Sequence, residues 1–290
     1  MIEDVIRKLI SETPNIARCL AQYKFVPAVF YQTPPVDIDP EWGEEQYPRI
    51  DYNVEWSYNA ERKTAGIMTL DLWCLNESAI APEDLGKVIS TELSEVFVAD
   101  ETGIFCIVWN RTDSFVAEGN EPQTVGVTVS FDVLEFPLNI PSETDPIVSC
   151  NQWAKALFPT AIVIGIDEMQ PIMRPSNDTP VLYFRTASMT DAGRTTYAVA
   201  WMNATIVGHV IAPTPEARYT LLKRMSEELA INGEILMNDN SPMMINKVSY
   251  TTSANPLING QLTVSGTYGV LRQHQEYTPL TNIKFSRQEG

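Results

Sequence analysis

The chain has 290 residues, 44% of them apolar, and a formal net charge of −17; that is enough apolar material for one large core or two ordinary ones, which excludes a disordered tail. The charge is lopsided, with 9 basic and 26 acidic side chains in residues 1–148 (a balance of −17) against 11 of each in residues 149–290 (a balance of zero). Neither half has the clustered Lys and Arg that a phosphate-gripping surface requires, and two units with unlike outer faces are expected.

No positively charged, apolar, small-residue leader opens the sequence, and no apolar run approaches the roughly 20 residues of a membrane span, so a soluble intracellular protein is expected. Cys19, Cys74, Cys106 and Cys150 are scattered without a CxxC spacing. Reduced thiols are therefore expected, not a zinc knuckle or a redox pair. The Asn-x-Ser/Thr sequons at Asn76, Asn110, Asn177 and Asn203 read as chance matches.

In chain order, "IEDVIRKLI" (2–10) is a helical run and "KFVPAVFYQ" (24–32) an apolar strand. An acidic, Pro-rich stretch follows, with Asp37, Asp39, Glu41, Glu44 and Glu45 around Trp42. Next, "YPRIDYNVEWSY" (47–58) and "AGIMTLDLWCL" (65–75) flank the polar turn "NAERKT" and predict a hairpin. Pro82 and Glu83 mark a helix start, since Pro loses nothing at the first helical position and an anion suits the positive end of the dipole. Leu85, Val88, Ile89, Leu93 and Val96 form its apolar stripe. A second hairpin is predicted from "GIFCIVWNRTDSFV" (103–116) and "QTVGVTVSFDVLEF" (123–136). In the latter, Val125, Val127, Val129, Phe131 and Val133 alternate, one face to a core and the other to water.

The order then repeats. "CNQWAKALF" (150–158) is a helical run, "TAIVIGIDE" (160–168) a strand, and "TPVLYFRTASM" (179–189) with "TTYAVAWMNATIVG" (195–208) a hairpin across the turn "TDAGR". At an offset of 133 residues Pro215, Glu216 and Glu228 fall on Pro82, Glu83 and Glu95, with Leu221, Leu222, Met225 and Leu229 as the second apolar stripe. "SPMMINKVSYTTSA" (241–254) and "INGQLTVSGTYGVLR" (258–272) close the second unit. The expected fold is α+β: two tandem similar domains, residues 1–138 and 149–290, each a mixed or antiparallel sheet with one main helix packed on it, roughly α-β-β-β-α-β-β. Residues 139–148 of the Pro-rich "EFPLNIPSETDPIV" read as the linker.

Reaction chemistry finds little to hold on to. The two histidines, His209 and His274, lie outside helical reach of a Cys or a carboxylate pair and read as satisfied or exposed. GxGxxG, GxxxxGK[ST], GxSxG and HExxH are absent, and no catalytic, cofactor-binding or metal-ligating residue is expected. The carboxylates Asp37 to Glu45, and Asp167 with Glu168, fit either a solvated loop, a cation or acid/base site, or an acidic rim that repels phosphates. Trp42 fits either a loop folded back on its own sheet or an anchor into a neighbouring subunit.

The segments "YPRIDYNVEWSYNAERKTAGIMTLDLWCLNE" and "WNRTDSFVAEGNEPQTVGVTVSFDVLEFP", with the helix from Pro82 between them, resemble the tail terminator, or tail-completion, family. These are minor structural proteins of the head–tail joining genes in phages and prophages of Gram-positive bacteria. The resemblance covers residues 1 to about 138; members are usually a single domain of about half this length. It implies small domains with a helix on a sheet, closing into a hexameric ring at the head-proximal end of the tail tube. For this chain it implies three copies giving six domains, or six copies stacking two rings. The implied partners are the tail tube protein and a head–tail connector or neck protein, with DNA passing through the channel unbound and assembly in the host cytoplasm into the virion. Asp37, Asp39, Glu41, Trp42, Glu44, Glu45, Arg62 and Arg194 are the expected contact residues. Another tube, neck or baseplate part of the same particle, and an unrelated enzyme or binding domain, are the other readings.

Overall fold

Ile2, Ile6, Leu9 and Ile10 recur at helical spacing, and they are the residues that α1 (Ile2–Glu12) buries. Pro14 then opens the short α2 (Pro14–Ala17). The computed structural model of this protein describes residues 2–57, 65–116, 124–142 and 144–272. Within them the fold is mixed α+β and mostly sheet.

In the first half, β1 (Gln22–Tyr23) and β2 (Val26–Pro27) form a small hairpin, followed by β3 (Val29–Tyr31), β4 (Arg49–Trp56) and β5 (Gly66–Leu75). After α3 (Pro82–Leu93) come β6 (Val96–Asp100), β7 (Gly103–Val116) and β8 (Thr124–Glu135). The second half runs α4 (Pro146–Leu157), β9 (Ile162–Val163), β10 (Ile172–Met173), β11 (Val181–Thr195) and β12 (Val199–Ile211). It finishes with α5 (Pro215–Asn232), β13 (Glu234–Leu236), β14 (Pro242–Tyr250) and β15 (Leu262–Leu271).

One sheet has the order β10-β6-β7-β8-β5-β4-β3 and the other β13-β14-β15-β12-β11-β9. With β10 set aside the two orders are the same: β3 and β9 are parallel to their neighbours and every other pairing is antiparallel. The ladders also keep step. Starting from the buried pairs Val29–Ile50 and Val163–Leu182, counting across places Leu72 with Val210, Val129 with Leu262, Ile107 with Ile245 and Val98 with Ile235.

Each sheet has its own buried cluster. Leu85, Ile89 and Leu93 of α3 share one with α1 and with Met68, Leu70, Val129 and Phe131. Leu222, Met225 and Leu229 of α5 share the other with α4 and with Phe184, Ile206 and Val264. Both helices begin at the expected prolines, and Thr214 caps α5 by accepting the Ala217 N–H at 3.3 Å.

Several boundaries differ from the sequence reading. A short strand follows each main helix, so that with α2, the β1–β2 hairpin and β10 set aside the first half reads α-β-β-β-α-β-β-β and so does the second; α3 stops at Leu93, and Val96 belongs to β6. Helix α4 starts inside the Pro-rich stretch because Asp145 accepts the Ile147 and Val148 N–H groups at 2.8 and 3.2 Å, with Pro146 at the first helical position. "TDAGR" is no turn: Gly193, at φ 67, donates its N–H to Asp191 at 2.8 Å in a bulge, and β11 continues to Thr195. The outer face of β8 is only partly wet, since Ser130 and Leu134 are buried.

A third cluster joins the halves. Phe97, Ala99, Cys106, Leu134 and Phe136 pack with Ile164, Met173, Val181, Tyr183, Ile211 and Leu257. The Phe136 ring meets Phe97 at 5.1 Å and Tyr183 at 5.2 Å. Strand β10, from the second half, pairs antiparallel with β6 of the first.

Candidate interaction site

Twenty residues separate Val29 from its partner Ile50, and eighteen separate Val163 from Leu182. These two arms occupy the same place in the two ladders. The first arm carries most of the expected contact residues, and its geometry comes from the aromatic side chains at its base. Trp42 forms a β-bridge with Tyr23, and its ring sits edge-on to Tyr23 at 5.1 Å and to Phe30 at 5.6 Å. Its indole N–H donates to the Val36 carbonyl at 3.1 Å. Of the two arrangements open to Trp42, this is the loop folded back on its own chain.

The acidic residues divide by role. Asp37 pairs with Arg49 at 2.7 Å, and the guanidinium lies over the Tyr47 ring at 4.6 Å and the Trp42 ring at 5.8 Å. Asp39 accepts the Tyr23 hydroxyl at 3.1 Å and the Glu41 N–H at 2.9 Å. Glu41, Glu44 and Glu45 are exposed, and the last two line an open cleft of about 950 Å³ with Arg18, Tyr47, Glu77 and Ile80. Arg194 is exposed near the end of β11, in the other sheet, and is not brought to the arm. Arg62 lies outside the described residues.

Residues that sequence reasoning missed stand beside the arm, on the face of β4 and β5 turned away from the first core. Asp51 and Asp71 are directly opposed in the ladder, as are Arg49 and Trp73. Asp71 accepts the Thr128 hydroxyl at 2.5 Å, and Trp73 meets Phe115 edge-on at 4.8 Å. Arg49 Nε, Asp51 Oδ1 and Trp73 Nε1 are buried without a hydrogen-bond partner, an arrangement that costs free energy for each atom left so. The Asp51 carboxyl is pushed up to about 6, first by burial and then by the Asp71 charge; Arg49 and the Trp73 indole, the latter near but outside hydrogen-bond geometry, oppose the shift. The signal lay in the alternation of "RIDYNVEW" and "TLDLWCL", which sends Arg49, Asp51, Asp71 and Trp73 to one side.

The second arm makes a different contact. Its Ile172–Met173 segment is β10; Ala99 donates its N–H to Pro171 at 3.0 Å, and Arg174 pairs with Glu92 at 3.3 Å. His209 lies at the same joint, fully buried, with its Nδ1–H donating to Pro256 at 2.7 Å and Nε2 accepting from Arg185 Nε at 3.2 Å. Asp167 is spent on structure, holding Lys155 and the Val163 N–H at 2.8 Å each. All four cysteines are free thiols; burial raises Cys74 to about 11 and Cys150 to about 12, which leaves both unreactive.

Among the described residues no three His, Cys, Asp or Glu side chains converge to hold a metal, and no helix is long and apolar enough to cross a membrane. His274 lies outside them. No protein-family model matches the chain, and no curated protein matches it in sequence.

Proposed function

We propose that this chain is a virion structural protein, a tail terminator or head–tail joining ring that caps the tail tube and connects it to the head or neck. In this reading the halves are copies of one ancestral module, each with its main helix packed on its sheet. The observation that carries it is the joint between the halves: two sheets of the same strand order meet head to tail, the arm of one completing the edge of the other. A head-to-tail contact closes into a ring when its repeated rotation completes a full turn. Three chains then supply the six modules of one ring, with the halves alternating around it. The excess acidic charge of residues 1–148 suits a passage through which DNA slides without sticking.

Native mass spectrometry and negative-stain electron microscopy of the purified chain, alone and with the tail tube protein, test this. Closed rings with six lobes are expected. Long tubes would make it a tube subunit of the same particle. A chain that stays monomeric with and without the tube would remove the reading.

A further inference from the structure

The chain contains one joint of the kind a ring needs, and the ladder register shows what the same joint requires of the two faces at its ends. On one side of the internal joint stand Phe97, Ala99, Cys106 and Leu134, with Val108 packed against them. Counted across the sheets, their counterparts in the second half are Glu234, Leu236, Met244, Thr267 and Lys247. Leu236 is 59% exposed and Met244 47%, in place of a buried Ala99 and Cys106, and Lys247 is exposed. On the other side stand Ile164, Val181, Tyr183 and Ile211, with His209 beside them. Their counterparts in the first half are Phe30, Arg49, Asp51, Trp73 and Asp71. Three of these five are the side chains with unpartnered buried polar atoms.

We propose that these two faces bind each other between copies: the β13 edge, with Leu236, Met244 and Lys247 of one chain, docks on the Arg49–Asp51–Asp71–Trp73 face of the next. The packing of faces at the joint inside the chain, without its added β10 strand, is thereby repeated between chains. This names the contact for the self-association proposed above and rests on that reading.

The residues match in kind as well as in position. Lys247, in the place of Val108 at the border of that cluster, brings a positive charge to a face that carries the opposed Asp51 and Asp71 carboxylates, a complementarity that favours one register over wrong docking. Glu234, in the place of Phe97, arrives on the side of Arg49, whose Nε has no acceptor in the single chain. Leu236 and Met244 supply the apolar contact that the first half meets with the Phe30 and Trp73 rings. The internal joint is apolar and permanent, whereas the joint between chains is polar enough for its faces to remain in water before assembly.

Charged substitutions at the exposed Leu236 and Lys247, with a compensating change at the partly buried Asp51, test the proposal. Association of the full chain is followed by analytical ultracentrifugation beside its thermal unfolding midpoint. Lys247→Glu and Leu236→Asp are each expected to weaken association at least about 10-fold with the midpoint unchanged. Lys223→Glu, the same reversal on α5, is expected to leave association intact. Asp51→Lys combined with Lys247→Glu is expected to recover at least part of the loss. If the wild type associates and neither face variant weakens it, the assigned surface is wrong while the ring reading stands. If the wild type does not associate at any concentration, with or without tube protein, both fall.

Discussion

The two arms begin alike and end differently. Each leaves a short parallel edge strand and returns to the first long strand of its sheet, over twenty residues in one case and eighteen in the other. The first arm turns back, held by Trp42 on Tyr23 and Phe30, and is edged with exposed carboxylates. The second reaches out and adds a strand to the neighbouring sheet. The difference shows that an arm's destination follows from which surface offers it a partner. The first half has the β1–β2 hairpin for its arm to fold onto, and α4 leads to β9 with no such hairpin between them.

Four measurements break or sharpen that contrast. The largest effect is expected at Phe136, fully buried between the halves: Phe136→Ala should cost about 3–5 kcal/mol in denaturant unfolding. It should also separate one transition into two; a lone transition with little loss would mean the halves are not coupled through this ring. Next, Met173→Asp places a charge where the second arm meets β6, and a loss of about 2–3 kcal/mol is expected, with faster hydrogen exchange at the Phe97 and Ala99 amides. Unchanged exchange there would show that β10 contributes nothing to that edge.

A smaller effect, opposite in sign, is expected at Asp51. Its carboxyl titrates near 6 in the fold against 3.8 ordinarily, so the folded state holds the proton more tightly. The contribution of Asp51 to stability is therefore greatest below about pH 4 and falls as pH rises through 6, where the ionised group carries its full burial cost. The carboxyl keeps some contact with solvent, which screens part of that cost, so Asp51→Asn should stabilise the isolated chain by about 1–2 kcal/mol at pH 7 and by almost nothing at pH 3.5. Equal effects at both values would assign the stabilisation to something other than ionisation. Smallest of all, Trp42→Ala should cost about 1 kcal/mol globally while making the first arm far more sensitive to protease. A protected arm would mean that Tyr23, Phe30 and Arg49 hold it without the indole.

The long elements were legible because their periods are strong. Pro82 and Pro215 open helices with an acidic first turn, and the alternation in "RIDYNVEW" survives as buried and less buried faces. The two-residue β10 was not legible, because so short a strand has no period and exists only through β6, far away in sequence. Pro146 read as a linker signal because proline is as common in connections as at a helix start, and Asp145 decided between them. The acidic arm stood out from its composition. Its neighbours Asp51 and Asp71 did not, since only the ladder sets two such residues face to face.

The pairing of Val98 with Ile172 also orders events during synthesis. All strands that sheet shares with its own half are translated by Glu135, whereas its last strand and the second-half partners of Phe97 and Phe136 are translated only later. A nascent first half therefore waits with an open border and a sticky corner, at the common pace of about 5–20 residues per second for some seconds. During that interval the acidic excess of residues 1–148 keeps neighbouring nascent chains apart.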